Sequence, residues 1–306
     1  MKNMKTVAGM LCLAGILSLG MGTTVFAEDG DSHYPVTITT YNYENEPIEM
    51  TFEKAPEKVF AYANSNIEEL LALGLGDKIV AACGLDGDVR EDLKDEFDKI
   101  QYMDTKPSKE EVVAMEPDFI AAWYSSFDDD WLSDVSFWQE RDVNTYMSLN
   151  SAAKGPASEF PRTIEDEYED ILNLGKIFDC EDKAEEIVDQ MKGEIDKVKE
   201  HVEGTDPLSV AVLEDEGDSF RVYGTETLGG NIPETLGAEL KLGAENSENV
   251  GAEDLIAADP DVLFMINYDG FMTADEAIAD ITDNPAYASL SAVKNNKVFS
   301  VNLNEV

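Results

Sequence analysis

A chain of 306 residues that is 43% hydrophobic can build a substantial core, as one large domain or two smaller ones. Its formal charge of −43, from 65 acids against 22 Lys and Arg, argues against a surface for nucleic-acid phosphates or anionic lipid headgroups. Solubility accounts for such a charge; long-range attraction of a cationic ligand or partner is the other reading.

Residues 1–27 hold no acid. Lys2 and Lys5 precede an apolar, Gly-rich run, and Val25-Phe26-Ala27 offers a cleavage site before Glu28-Asp29-Gly30-Asp31. The segment reads as a secretory signal, with an uncleaved anchor as the alternative, and places the protein outside the cytoplasm. Leu11 stands before Cys12 where a bacterial lipidation site needs a small residue, which argues against a lipid anchor there. Cys83 and Cys180 are isolated in a large chain and read as buried thiols rather than as a disulfide.

Val36-Thr37-Ile38-Thr39-Thr40 and Ile48-Glu49-Met50-Thr51-Phe52 alternate around the turn Glu44-Asn45-Glu46-Pro47 and predict a hairpin. Val59-Phe60-Ala61-Tyr62 is a buried-type strand. Asn64 or Asn66 is placed to cap a helix from Ile67 to Leu73 that stops at Gly74, and Asp77 to Ala82 returns to a strand. This is a β-α-β unit of a parallel sheet.

The most informative feature is an internal repeat. Glu110-Glu111-Val112-Val113-Ala114-Met115-Glu116-Pro117-Asp118 precedes the apolar run Phe119 to Trp123. Glu253-Asp254-Leu255-Ile256-Ala257-Ala258-Asp259-Pro260-Asp261 precedes Val262 to Ile266, matching position by position. Each copy predicts a short helix, ended by Pro, that feeds a buried parallel strand. Copies so far apart are no solenoid and imply two lobes of similar build.

Between the copies, Ile164 to Phe178 is helix-compatible. Ala184, Ile187, Val188, Met191, Ile195, Val198 and Val202 then share one helical face, ended by Gly204 and Pro207. This second helix is read as a strut between the lobes. Ser209 to Leu213 and Phe220 to Tyr223 read as strands, Asn231 to Leu236 as a helix, and Val298 to Val301 as a last strand. A parallel lobe normally covers such a strand with a helix, so a C-terminal helix is expected beyond Val306.

Taken together, Asn66 to Gly74, Glu110 to Asp118, the Ala184 to Val202 helix, Gly229 to Gly237, Glu253 to Asp261, Asn284-Pro285-Ala286-Tyr287 and Lys297-Val298-Phe299 cover nearly all of the chain after the signal. In order and spacing the sequence resembles the periplasmic-binding-protein family of ABC importers that serves ferric siderophores, haem and cobalamin. The resemblance implies an α/β fold of two Rossmann-like lobes with parallel sheets, joined by a single long helix, with a ligand cleft between them. It divides the chain into an N-terminal lobe (28–160), a helical region (161–204) and a C-terminal lobe (205–306). It also implies one surface Glu per lobe that docks into a basic pocket of the permease, at positions matching Glu110 and Glu253. A carboxylate favouring a helix N-terminus is the competing explanation of both.

Ligands in open α/β sheets bind beyond the C-terminal ends of the strands. Those ends carry Tyr62 with Asn64, Trp123 with Tyr124, Arg221 with Tyr223, and Tyr268. Aromatics suit a large or ring-bearing ligand, and Arg suits a carboxylate or anionic chelate oxygen. The expected partners are thus a small-molecule metal chelate, with a ferric siderophore favoured, and the membrane permease; the chain is expected to act as a monomer with no cofactor. Cobalamin, haem and a nickel chelate are alternative ligands. His33 and His201 are far apart in sequence, so no multi-His zinc site is expected. Asp128-Asp129-Asp130 reads as a solvated run rather than a calcium site. No nucleophile elbow, P-loop, Cys-His pair or zinc-protease motif points to an enzyme, and a sensor or adhesion module on the same lobes is the remaining rival.

Overall fold

The computed structural model describes residues 33–44, 46–152, 162–243, 249–268 and 271–303, so the signal-like segment lies outside the described residues. An antiparallel hairpin opens the fold, β1 (Val36–Tyr41) with β2 (Pro47–Phe52). Its alternation turns Ile38, Met50 and Phe52 into the core of the first lobe.

That lobe is built on β3 (Val59–Tyr62), α1 (Asn64–Ala72), β4 (Ile79–Cys83), α2 (Lys94–Phe97), β5 (Tyr102–Met103), α3 (Lys109–Ala114), β6 (Phe119–Ala122), α4 (Val135–Gln139), β7 (Asn144–Met147) and α5 (Leu149–Ala152). The strands form one sheet in the order β5-β4-β3-β6-β7, and every pairing is parallel. Two long helices come next, α6 (Ile164–Phe178) and α7 (Glu181–Val202). The second lobe contains β8 (Ser209–Asp215), β9 (Phe220–Val222), α8 (Leu228–Thr235), β10 (Glu239–Leu240), α9 (Ala252–Ala258), β11 (Val262–Asn267), α10 (Ala274–Thr282), α11 (Ser291–Lys294) and β12 (Val298–Asn302). Its sheet runs β10-β8-β11-β12, all parallel, with β9 folded back antiparallel on β8. The expected class holds: α/β, with a parallel sheet in each half. Helices on the sheet faces explain why β3 and β6 are apolar at nearly every position rather than alternating.

The repeat has the same physical content in both copies. Helix α3 begins with a capping box in which Ser108 and Glu111 bond each other's backbone N–H, and at α9 the Asp254 carboxylate takes the Gly251 N–H at 2.9 Å. Each helix ends on a left-handed residue before the proline, Glu116 (φ 51°) and Asp259 (φ 40°). The aspartate after the proline then reaches across to the neighbouring strand. Asp118 accepts from the N–H groups of Glu57 (3.0 Å) and Lys58 (2.8 Å), just ahead of β3. Asp261 accepts from the N–H (3.0 Å) and hydroxyl (2.7 Å) of Ser209, the first residue of β8.

Two expectations are corrected. Neither Asn64 nor Asn66 caps α1: the cap position is Ala63, at φ 76° and ψ 154°, with no side-chain cap. Asn66 instead donates its amide to the Tyr62 carbonyl at 2.9 Å. The connection between lobes is also more than a lone strut. Helix α6 touches the second lobe at its start, where Ile164 N–H donates to Asn231 Oδ1 at 3.0 Å, and ends in the first lobe with Phe178 edge-on to Phe119 at 5.5 Å. Helix α7 then runs back along it, about 33 Å for a helix of this length. Gly175 sets their close approach, because a Cβ there would lie 2.5 Å from the Ala184 Cβ.

Where α6 meets α1, three acids are packed together. Asp170 is fully buried and accepts from the Tyr146 hydroxyl (2.6 Å) and the Leu149 N–H (2.9 Å). Glu167 accepts from the Asn150 amide, and Glu69 buries its Oε2 with no hydrogen-bonding partner. Burial holds all three above the ordinary carboxylate range, and for Glu69 the neighbouring Asp170 and Glu167 add to the rise.

Two outcomes are expected in urea unfolding. D118A and D261A each lose about 1 kcal/mol, the usual net worth of such bonds. Because the Ser209 bonds hold Asp261 below the ordinary carboxylate range, its contribution is present at neutral pH and is lost as pH falls below about 4, so D261A and wild type converge in acid. The buried acids act with the opposite sign. Their raised pKa values stabilise the fold below about pH 4, and that stability declines as pH rises toward the folded-state values. E69Q should flatten this decline; an unchanged pH profile would count against the cluster.

Candidate ligand cleft

A cavity of ≈ 350 Å³ lies at the strand ends and is lined from both lobes and from the helical region. The first lobe contributes Asn64 and Ser65 at the start of α1, and Trp123 and Tyr124 just after β6. The second contributes Arg221 and Tyr223 from the end of β9, and the stretch leading into α6 contributes Arg162.

Trp123 is oriented by its indole N–H, which donates to Ser65 Oγ at 3.1 Å. Tyr124 is held by its backbone N–H on Ser151 Oγ (3.2 Å) and stacks on Tyr43 with ring centroids 6.2 Å apart. Asn64 is engaged through both amide atoms: Oδ1 takes the Asp86 N–H at 2.7 Å while Nδ2 donates to the Gly87 carbonyl at 3.3 Å. It builds the wall by tying α1 to the loop after β4. The unusual backbone of Ala63 belongs to the same junction, since that region of conformational space is otherwise left to glycine.

Arg221 projects from β9 between buried Phe220 and Val222. Its guanidinium lies 5.2 Å from the Tyr223 ring, and its contact to Glu214 is long at 3.5 Å. The Tyr223 hydroxyl takes the closer bond to Glu214, 2.9 Å, and burial raises the phenol's pKa. Arg162 donates its Nε to the Asn150 carbonyl at 2.5 Å. Its pKa is lowered, first by burial and also by the nearby charge of Arg221. A guanidinium stays charged even so, and both of these line one cavity. Glu69 and Glu167 line the same cavity, but their burial favours the neutral acid.

Five of the seven ligand residues expected from sequence thus meet at the cavity: Asn64, Trp123, Tyr124, Arg221 and Tyr223. Tyr62 and Tyr268 are not among its lining residues. Tyr62 packs edge-on against Trp131 at 4.7 Å and covers Gly84, where a Cβ would lie 2.2 Å from the ring. Tyr268 stacks on Phe271 at 5.0 Å. The expectation of one arginine is corrected to two. Arg162 stands in a polar stretch ahead of a helix, where nothing in its neighbours distinguishes it from a solvated side chain.

Among the described residues, one group of His, Asp and Glu brings three ligand atoms within 4.8 Å of one another: His33, Asp179 and Glu181. His33 Nδ1 lies 3.4 Å from Asp179 and 3.2 Å from Glu181, while Nε2 meets the Lys176 carbonyl at 2.6 Å. These contacts pin the segment before β1 to the α6–α7 corner. Cys83 and Cys180 are free thiols, as read from the sequence. Glu110 and Glu253 are both exposed, each the second residue of its helix. No helix among the described residues is long and apolar enough to cross a membrane.

A family described as "Periplasmic binding protein" matches residues 59–302. The chain is 23% identical over 310 aligned positions to the uncharacterized ABC transporter substrate-binding lipoprotein YvrC of Bacillus subtilis, covering 98% of this chain and 90% of that one. It is 25% identical to the Fe(3+)-citrate-binding protein YfmC of the same organism, over 64% of this chain and 56% of the other. Among solved structures, a periplasmic binding protein from Veillonella parvula superposes with a TM-score of 0.82 at 32% identity, covering 90% of this chain and 86% of that one. With parallel sheets in two lobes, a cavity at their strand ends and a match across nearly the whole described chain, the protein belongs to the periplasmic-binding-protein family, whose members are the substrate-binding components of ABC importers.

Proposed function

We propose that this protein is an extracytoplasmic receptor that captures an anionic ferric chelate and delivers it to an ABC permease, as a carrier rather than a catalyst. In this reading residues 28–160 and 205–306 are the two lobes that grip the ligand, flanking the helical region 161–204. One observation carries it: Arg162 and Arg221 face a single aromatic-walled cavity in a chain with only 22 Lys and Arg against 65 acids. Cations so scarce, with one of them partly desolvated, are hard to explain by solubility. Trp123, Tyr124 and Tyr223 supply flat surfaces for the chelating arms, and the guanidiniums match carboxylate or chelate oxygens. The similarity to a ferric-citrate-binding protein supports the same class of ligand. Glu110 and Glu253 serve as the docking acids, one per lobe.

Tryptophan fluorescence of the mature protein should change on titration with ferric citrate or with ferric hydroxamate or catecholate chelates, and not with cobalamin. R162A and R221A should each weaken binding about tenfold or more, the worth of a hydrogen bond to a charged group. Silence across all the ferric chelates would rule the ligand class out. E110A combined with E253A should leave chelate binding intact and abolish cellular uptake.

A further inference from the structure

We propose that the docking face of each lobe has two parts: the helix-starting acid, Glu110 or Glu253, and an aliphatic side chain one turn later, Val113 or Ile256. The partner then presents two equivalent sockets, each a basic group beside an apolar patch. This rests on the docking reading above and extends it.

The two copies of the repeat assign a structural task to almost every position. Val112 and Leu255 are fully buried and anchor their helices to the core. Glu111 and Asp254 are committed to backbone N–H groups at Ser108 and Gly251. Glu116 and Asp259 make the left-handed turn, and Asp118 and Asp261 bond the neighbouring strand. Leaving aside the small, exposed Ala114 and Ala257, two pairs with larger side chains are left without such a task. Glu110 and Glu253 are exposed and make no hydrogen bond or ion pair among the described residues. Val113 and Ile256 are 37% and 36% exposed.

A single exposed aliphatic residue means nothing. Here, however, six large hydrophobic residues are exposed among the described residues, and two of them occupy the same position of the repeat. Val198, Leu208, Phe271 and Phe299 lie outside it. Helix propensity does not account for the pair, because both are β-branched and disfavoured in helices relative to the alanine beside them. The i, i+3 spacing places each aliphatic side chain on the same helix face as its acid. Both helices lead into a parallel strand, so their N-termini lie toward the strand C-terminal ends, the side on which the cleft opens. The occupant is therefore a protein with two matching basic and apolar sockets, as a two-fold or pseudo-two-fold permease provides.

The test is uptake of radiolabelled ferric citrate, ferric hydroxamate and ferric catecholate by iron-starved cells that lack the native copy and carry a variant. V113S combined with I256S should lower uptake about tenfold. V113L combined with I256L should retain it, and both purified variants should bind chelate and unfold in urea like wild type. If the serine pair transports normally while E110A/E253A does not, the aliphatic half is overturned and the docking reading survives. If E110A/E253A also transports normally, both fall. Loss of uptake accompanied by loss of chelate binding or of stability would make the role structural and overturn the proposal. If wild type takes up none of the chelates, the receptor reading fails and takes this inference with it.

Discussion

A carboxylate at the start of a strand, accepting the N–H groups that begin the next strand over, is the interaction on which the rest of the fold depends. Parallel strands have no tight turn between them to fix their register. Here Asp118 sets β6 against β3 and Asp261 sets β11 against β8. The short helix ahead of each aspartate, and the segment at the far end of the strand behind it, are then placed in the same way in both lobes. The exposed acids and the loop bearing Trp123 and Tyr124 inherit their positions from that pairing.

The cleft combines fixed walls with charged side chains. Asn64 holds α1 to the loop after β4, and Ala63 adopts a backbone shape that a residue with a Cβ resists. Such strain persists only where the surroundings overdetermine it, and it keeps the first turn of α1, with Ser65 and hence Trp123, in place. Between these walls two guanidiniums, which stay charged, share the cavity with acids whose burial raises their pKa.

The repeat, the hairpin and the long helices were legible in the sequence because each is a local pattern: alternation, helical spacing, or a proline after an acid. The aromatic half of the site was legible for a related reason, since strand ends can be located once strands are. What stayed hidden depends on direction in space. Glu68 and Glu69 are neighbours of one type, yet Glu68 bonds the Arg90 N–H at 3.0 Å in an exposed setting and Glu69 turns its carboxyl inward. Glu167 and Asp170 look like the solvated acids of any amphipathic helix. Arg162 looks like a loop cation, and Tyr62 like a cleft aromatic, until the chain closes around them.

Two cations lining a cleft in a chain of charge −43 also shape the encounter itself. At distances beyond a screening length an anionic ligand meets mostly acidic surface and is turned away; only within a few ångströms do the guanidiniums dominate. Raising the ionic strength shortens the repulsive range more than it weakens contacts inside a partly desolvated pocket. Association with such a ligand should therefore quicken with salt, the reverse of electrostatic steering, and capture is suited to the ion-rich exterior of a cell rather than to dilute buffer.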